Sequence, residues 1–321
     1  MAMTERVLEA RGICYRTNTF EPNRPTLVFV HGVSGSSSAW RPYEARFASQ
    51  CNLVTFDLRG HGRSGKPARY RDYAIPNFVD DLTALLAHLE VRTCFLVGHS
   101  FAVLILLEFL RRSQTGIVGV VLLSPDFDAS RRVSAKLLKA ALGPVPLLDR
   151  LPFRPPLGRR IDYARFPDSG DWNVPRMAAD IGNTTWRVYL YCTKHALGVH
   201  AADVLAGIRV PVLLVHGRRD TVFPVASAIE MAAAIPKADL VILEDADHIL
   251  VLNRPREVGD AIERFLNRHA RLTLEVSPQA ALRAKPAAEA DDRDEHDAGH
   301  DIADDPYRQR HRADRVAKVI P

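Results

Sequence analysis

The sequence predicts an α/β fold, in which a mostly parallel central sheet is covered by helices on both faces and carries one helical insertion. Three observations predict it. Near-continuous apolar segments rich in β-branched residues recur through the first 270 residues, and strands buried on both faces read that way. These segments alternate with helical patterns, the rhythm of βαβ units. Residues 126–205 break that rhythm, with helical fragments and proline-rich breaks but no strand pattern.

The elements follow in order. Arg6 to Arg16 is expected to add antiparallel strands at one edge of the sheet. Thr26-Leu27-Val28-Phe29-Val30 is a strand ending at His31-Gly32, and Leu53-Val54-Thr55-Phe56 is another ending at Asp57. A helix is expected from Pro76 to Leu89. Proline suits a first helical turn, and Phe78, Leu82, Leu85, Leu86 and Leu89 share one face at helical spacing. Cys94-Phe95-Leu96-Val97 is a buried strand, followed by an apolar helix through Val103–Leu110. Ile117–Leu123, Val210–Val215 and Leu240–Leu243 complete the strands. The chain thus divides into a core of residues 1–125 and 206–270, a helical cap of residues 126–205 and a tail of residues 271–321. The tail is expected to be disordered: residues 289–305 are acidic, 308–318 are basic and few apolar residues remain. His296, His300 and His311 are read as solvated tail residues.

Composition narrows the function classes. With 321 residues, 47% hydrophobic and 25% charged, the chain can bury a large core and has a soluble protein's balance. Met1 to Ala10 carries Glu5, Arg6 and Glu9 and no apolar run, so it does not read as a secretory leader. The longest apolar run, near 101–110, is too short to span a bilayer. The expected location is the cytoplasm. The formal charge is +5, but no lysine-rich tract interleaves with aromatics, which argues against a nucleic-acid partner. The cap holds 12 Lys/Arg against 8 Asp/Glu and two of the three tryptophans, Trp172 and Trp186. Cys14, Cys51, Cys94 and Cys192 have neither metal nor redox spacing, and Cys51 and Cys94 read as small buried hydrophobes.

The richest motif is Val97-Gly98-His99-Ser100-Phe101-Ala102, between a strand and a helix. A serine on so sharp a turn is lifted above the sheet, and only small residues at −2 and +2 leave room for the strained backbone. A serine hydroxyl is a poor nucleophile and needs a base. The base needs a carboxylate to fix its tautomer and stabilise its charged form. Open α/β sheets build sites in loops just past strand C-termini. Asp220, in Val215-His216-Gly217-Arg218-Arg219-Asp220-Thr221, fits the acid. His248, in Glu244-Asp245-Ala246-Asp247-His248, fits the base. Asp126, after the preceding strand, is the rival acid. Asp245 and Asp247 are expected to shape the histidine loop. His31 and His61 are read as loop-organising hydrogen bonders, and His99 is expected to point away from the pocket.

The order Ser100, Asp220, His248 resembles the α/β-hydrolase superfamily, in its capped, esterase- or lactonase-like serine branch. His31-Gly32-Val33-Ser34-Gly35, Asp57-Leu58-Arg59-Gly60-His61-Gly62-Arg63-Ser64 and Gly217 support the resemblance, which covers residues 1 to about 269. It departs from the usual elbow motif in having Ala102 for the last glycine. Ser100 disfavours the sister families with an aspartate at the elbow, the haloalkane dehalogenases and epoxide hydrolases.

The resemblance implies an oxyanion hole from the backbone N–H groups of Val33 and Phe101. It implies hydrolysis of a small-to-medium ester or lactone through an acyl-enzyme on Ser100, without cofactor or metal. A C–C bond hydrolase, a perhydrolase-like member and a non-enzymatic ligand receptor keep the same residues and stand as alternatives. Trp40, Phe101, Phe127, Val222 and Ile249, each beside a site motif, are expected to line the pocket, with the cap enclosing it.

Overall fold

The computed structural model describes residues 2–128, 131, 133–167, 170–269 and 318–320. Two N-terminal strands, β1 (Thr4–Leu8) and β2 (Ile13–Thr17), form the antiparallel edge expected around Arg6 to Arg16. Strand β2 pairs antiparallel with β4 (Asn52–Phe56), which pairs parallel with β3 (Thr26–Val30). From β3 the sheet continues through β5 (Cys94–His99), β6 (Ile117–Leu123), β7 (Val212–Gly217) and β8 (Ala238–Leu243), all parallel. The last strand, β9 (Lys318–Ile320), pairs parallel with β8.

Strand β9 departs from the expectation of a disordered tail, the rest of which lies outside the described residues. Its physical basis is the edge of β8, a row of backbone N–H and C=O groups that any short extended segment can pair with.

Burial follows the two-residue period of the strands. In β3, Leu27 and Phe29 face one side and Val28 and Val30 the other, all fully buried. The first side packs on α1 (Arg41–Phe47) through Tyr43 and Phe47, and on α10 (Pro255–His269) through Val258, Ile262 and Phe265. The second packs on α2 (Ile75–His88) and α3 (Phe101–Arg112) through Phe78, Leu82, Leu106 and Leu107. Helix α2 starts one residue earlier than its proline pattern indicates, with Pro76 in the first turn. Helix α8 (Val225–Ala234) joins β7 to β8, and a single turn, α9 (Leu250–Asn253), precedes α10.

Between β6 and β7 the described residues form helices and loops. These are α4 (Val133–Ala141), α5 (Val174–Thr184), α6 (Trp186–Ala196) and α7 (Ala202–Leu205), with 3-10 turns at Val145–Arg150 and Tyr163–Arg165. Among the described residues no helix is long and apolar enough to cross a membrane.

The strand order places the site. Chain order runs outward from β3 to β4 and then back across to β5, which opens a crevice at the carboxyl ends of β3 and β5. The register aligns those ends. Val30 pairs with Gly98, His99 with Leu123, Leu123 with Val215, and Gly217 with Leu243. The loops after β3, β5, β6, β7 and β8 therefore leave the sheet along one rim.

Candidate active site

Ser100 joins β5 to α3 with φ 54° and ψ −113°. A non-glycine residue there stores roughly 1–3 kcal/mol of strain. Hydrogen bonds hold it: its N–H donates to the Leu123 carbonyl at 2.9 Å, and the Val103 N–H donates to its own carbonyl at 2.8 Å. The small flanking residues are required by packing. A β-carbon on Gly98 would stand 2.6 Å from Leu106 Cδ1 and 3.3 Å from Ala102 Cβ.

The structure brings His248 and Asp220 together beside this serine. His248 Nε2 lies 2.8 Å from Ser100 Oγ, and His248 Nδ1 lies 2.9 Å from Asp220 Oδ2. Asp220 is fixed by its other oxygen, which accepts the N–H groups of Val222 at 2.8 Å and Phe223 at 2.7 Å. With an acceptor at Nδ1, the imidazole carries its proton there and leaves Nε2 free to accept the serine hydroxyl. Burial would raise the Asp220 carboxyl, but the hydrogen bond and charge of His248, the Phe223 N–H and nearby His216 outweigh it. The group is held below the usual carboxylate range.

The rival Asp126 borders the same cavity, and one of its oxygens accepts the N–H of Phe127 at 2.9 Å. The carboxylate bonded to His248 is that of Asp220.

The histidine loop is fastened from three sides. The His248 carbonyl accepts His99 Nε2 and Ser124 Oγ, both at 2.9 Å. The His248 N–H donates to Asp171 Oδ1 at 2.7 Å. Asp247 closes the loop by accepting the Ile249 N–H at 3.0 Å and the Asn253 amide.

His99 corrects an expectation. Its ring borders the cavity and grips the base's backbone instead of pointing away. Register explains this, because β5 brings position 99 level with Leu123 at the rim, beside the loop that follows β8. Burial, with the nearby His248, pushes the His99 imidazole down to about 3, so it is a neutral donor near pH 7.

His31 and His61 organise loops as expected. His31 Nε2 accepts the Leu58 N–H at 3.0 Å, leaving Nδ1–H for the Gly32 carbonyl at 2.8 Å. His61 Nδ1–H donates to the Arg59 carbonyl at 2.9 Å. The His31-Gly32 turn packs against the elbow: a β-carbon on Gly32 would lie 3.3 Å from Ser100 Cβ. Val33 and Phe101, the expected oxyanion donors, both border the cavity at this point.

The cavity measures about 450 Å³. Trp40, Phe101, Val222 and Ile249 border it. Phe127 does not. The chain turns at Asp126, so the carboxylate faces the cavity while Phe127 is buried in the apolar core on the α2–α3 side of the sheet.

Sequence motifs pass over the contribution of the insertion. Tyr163, Asp171, Trp172, Arg176 and Asp180 all border the cavity. Arg176 pairs with Asp180 at 3.0 Å, and Tyr163 donates to Asp180 at 2.8 Å. Burial raises the Asp180 carboxyl to about 6 despite both partners. Arg176 and Asp180 are four apart on α5, a helix-face spacing legible in the sequence. Nothing local marks that face as turned inward. Among the described residues no group of three or more His, Cys, Asp or Glu could hold a metal ion.

Comparison with known proteins agrees with this architecture. A family model described as alpha/beta hydrolase fold matches residues 25–255. An uncharacterised protein of Mycobacterium tuberculosis is 26% identical in an alignment of 278 positions that covers 81% of this chain and 80% of that protein. A 3-oxoadipate enol-lactonase of Acinetobacter baylyi is 25% identical over 266 residues, covering 81% of this chain and 96% of its own. The solved structure of Est816, described as an N-acyl homoserine lactone degrading enzyme, matches with a TM-score of 0.64 at 24% identity. That match covers 82% of this chain and 100% of Est816.

Proposed function

The chain belongs to the α/β-hydrolase family, and on that premise we propose that it hydrolyses a carboxylic ester or lactone through an acyl-enzyme on Ser100. The observation that carries the reading is the continuous hydrogen-bonded line from Asp220 through His248 to Ser100, ending at a cavity. The enol-lactonase and the lactone-degrading enzyme among the similar proteins support the choice of ester and lactone chemistry.

His248 Nε2 takes the hydroxyl proton as Ser100 Oγ attacks the carbonyl carbon. The oxygen that becomes negative is stabilised by the N–H groups of Val33 and Phe101. Asp220 stabilises the imidazolium and stays ionised. The tetrahedral intermediate collapses, the C–O bond to the alcohol breaks, and the imidazolium returns its proton to the leaving oxygen. In a lactone that alcohol stays tethered to the acyl group. Water then attacks the acyl carbonyl, giving one proton to His248, and Ser100 leaves with that proton as the acid is released.

The helical insertion acts as a cap. Leu138, Met177 and Ile181 from it join Leu104 and Phe223 from the core around the cavity. A partly open space of about 450 Å³ with these walls suits a small-to-medium, mostly apolar substrate.

The test is a panel of aryl esters, lactones and ring-cleavage ketones on wild type and Ser100→Ala. Multiple turnover of esters or lactones is expected, with a fall of at least about 10³-fold in kcat for Ser100→Ala. Equal rates for the two proteins, or single turnover across the panel, would contradict the reading.

A further inference from the structure

We propose that Asp171, a cap residue, is a positioning residue that ties the cap to the loops carrying the acid and the base. The proposal rests on the reading of Ser100, His248 and Asp220 given above. Asp171 belongs to neither loop; it lies in the insertion, just before α5. Its carboxylate nevertheless receives donors from both. Oδ1 accepts the backbone N–H of His248 at 2.7 Å. Oδ2 accepts the backbone N–H of Thr221 at 2.9 Å and the Thr221 hydroxyl at 2.6 Å.

Thr221 directly follows Asp220, so one side chain grips the residue that is the base and the neighbour of the acid. The bridge spans 77 residues to one loop and 50 to the other. Asp171 is held in turn from the cap side, where its backbone carbonyl accepts Arg176 Nη2 at 3.0 Å. Trp172 Nε1 donates to Thr221 Oγ1 at 2.9 Å and closes the same seam. The polarity is consistent throughout, since the threonine hydroxyl gives its hydrogen to Asp171 and accepts one from Trp172.

The physical consequence is specific. The spacing of His248 Nε2 from Ser100 Oγ is set by backbone placement in the loop after β8. That of Asp220 from His248 depends on the loop after β7. A carboxylate joining the two loops fixes their separation. Moving the cap away would break the three hydrogen bonds of Asp171 and that of Trp172 at once, three of the four on the loop that presents the acid. A misplacement of about 1 Å at a reacting group can cost on the order of 10²-fold in rate. A contact with substrate alone would act differently, by weakening binding.

The experiment uses the full chain with Asp171→Ala and Asp171→Asn. It measures kcat and KM on a short aryl ester, and the rate of labelling by a small fluorophosphonate. For Asp171→Ala the expected result is a fall of about 10²-fold in kcat with KM within about twofold, and an equal fall in labelling rate. Asp171→Asn keeps one acceptor oxygen and can serve one loop only, so its loss is smaller. It is also nearly isosteric, and gives the same readout if the alanine variant fails to fold.

Wild-type kcat, or a loss confined to KM, would overturn the proposal. Ser100→Ala run in parallel separates the two failures. If it is inactive while both Asp171 variants match wild type, only the positioning role is lost. If it matches wild type, the reading of Ser100 itself fails.

Discussion

His99 Nε2 donates to the carbonyl of His248 across 2.9 Å. The residue before the strained serine thus holds the backbone of the residue that faces that serine. Ser124 Oγ shares the same carbonyl at 2.9 Å, so strands β5 and β6 both anchor the loop after β8. Replacing His99 with alanine removes the donor and leaves a hole beneath the loop. A fall in kcat of about tenfold or more is expected, with KM little changed. His99→Asn, which keeps a donor, should lose less. Steady-state kinetics on a short aryl ester check this, and an unchanged kcat for His99→Ala would count against it.

The two candidate acids make opposite predictions. Asp220 is hydrogen-bonded to His248 Nδ1 at 2.9 Å, with its side chain fully buried. Asp220→Asn keeps the shape but disturbs the tautomer of the imidazole, so kcat should fall by about 10⁴-fold. Asp126→Asn should stay within a few-fold of wild type. Inverted results would move the acid to the loop after β6.

Stability should fall as the solution is acidified below neutrality. Burial pushes His61 and His99 each down to about 3 from 6.5. Between those values the unfolded chain binds protons that the native state refuses. The stabilisation they give is therefore complete above pH 6.5 and is lost as pH falls through that window, by about 1.4 kcal/mol per pH unit for each histidine. Asp180 opposes this, because its carboxyl is raised to about 6 from 3.8 and the native state takes up that proton first. Thermal midpoints at pH 7 and pH 5 should show a drop in wild type. His61→Gln should show a smaller one, by about 2 kcal/mol at pH 5. Parallel curves for the two proteins would exclude His61 as a source.

Gly62 is a second sensitive position. It has φ +46°, and a β-carbon there would stand 2.3 Å from Asp57 Oδ2. That carboxylate is already committed, accepting the N–H of Ser37 at 2.7 Å and of Arg63 at 2.8 Å. Gly62→Ala should cost about 3 kcal/mol or more, from backbone strain and displacement of a buried carboxylate. Denaturant titration measures it, and a loss below about 1 kcal/mol would contradict the packing argument.

Local patterns made the core of this molecule legible. Apolar runs such as Thr26–Val30 and Ile117–Leu123 encode buried parallel strands, and the turn at Ser100 announces itself by its small neighbours. Asp220 and His248 could be read because each follows a strand in the order the family uses. What could not be read depends on contacts between distant segments. Phe127 sits beside a site motif, yet a single turn at Asp126 sends it into the core. The inward orientation of His99 follows from strand register, and the role of Asp171 from how a loop of the insertion lies on two core loops. Neither leaves a local pattern. The edge strand Lys318–Ile320 is only three residues long, too short for a period to announce it, and pairs with β8.

The central claim is that Ser100 is the acylated nucleophile. Mass spectrometry of the intact protein after fluorophosphonate treatment tests it most directly. Wild type should gain one adduct, located on Ser100 after digestion, and Ser100→Ala should gain none. An adduct on Ser100→Ala formed as fast as on wild type would contradict the account.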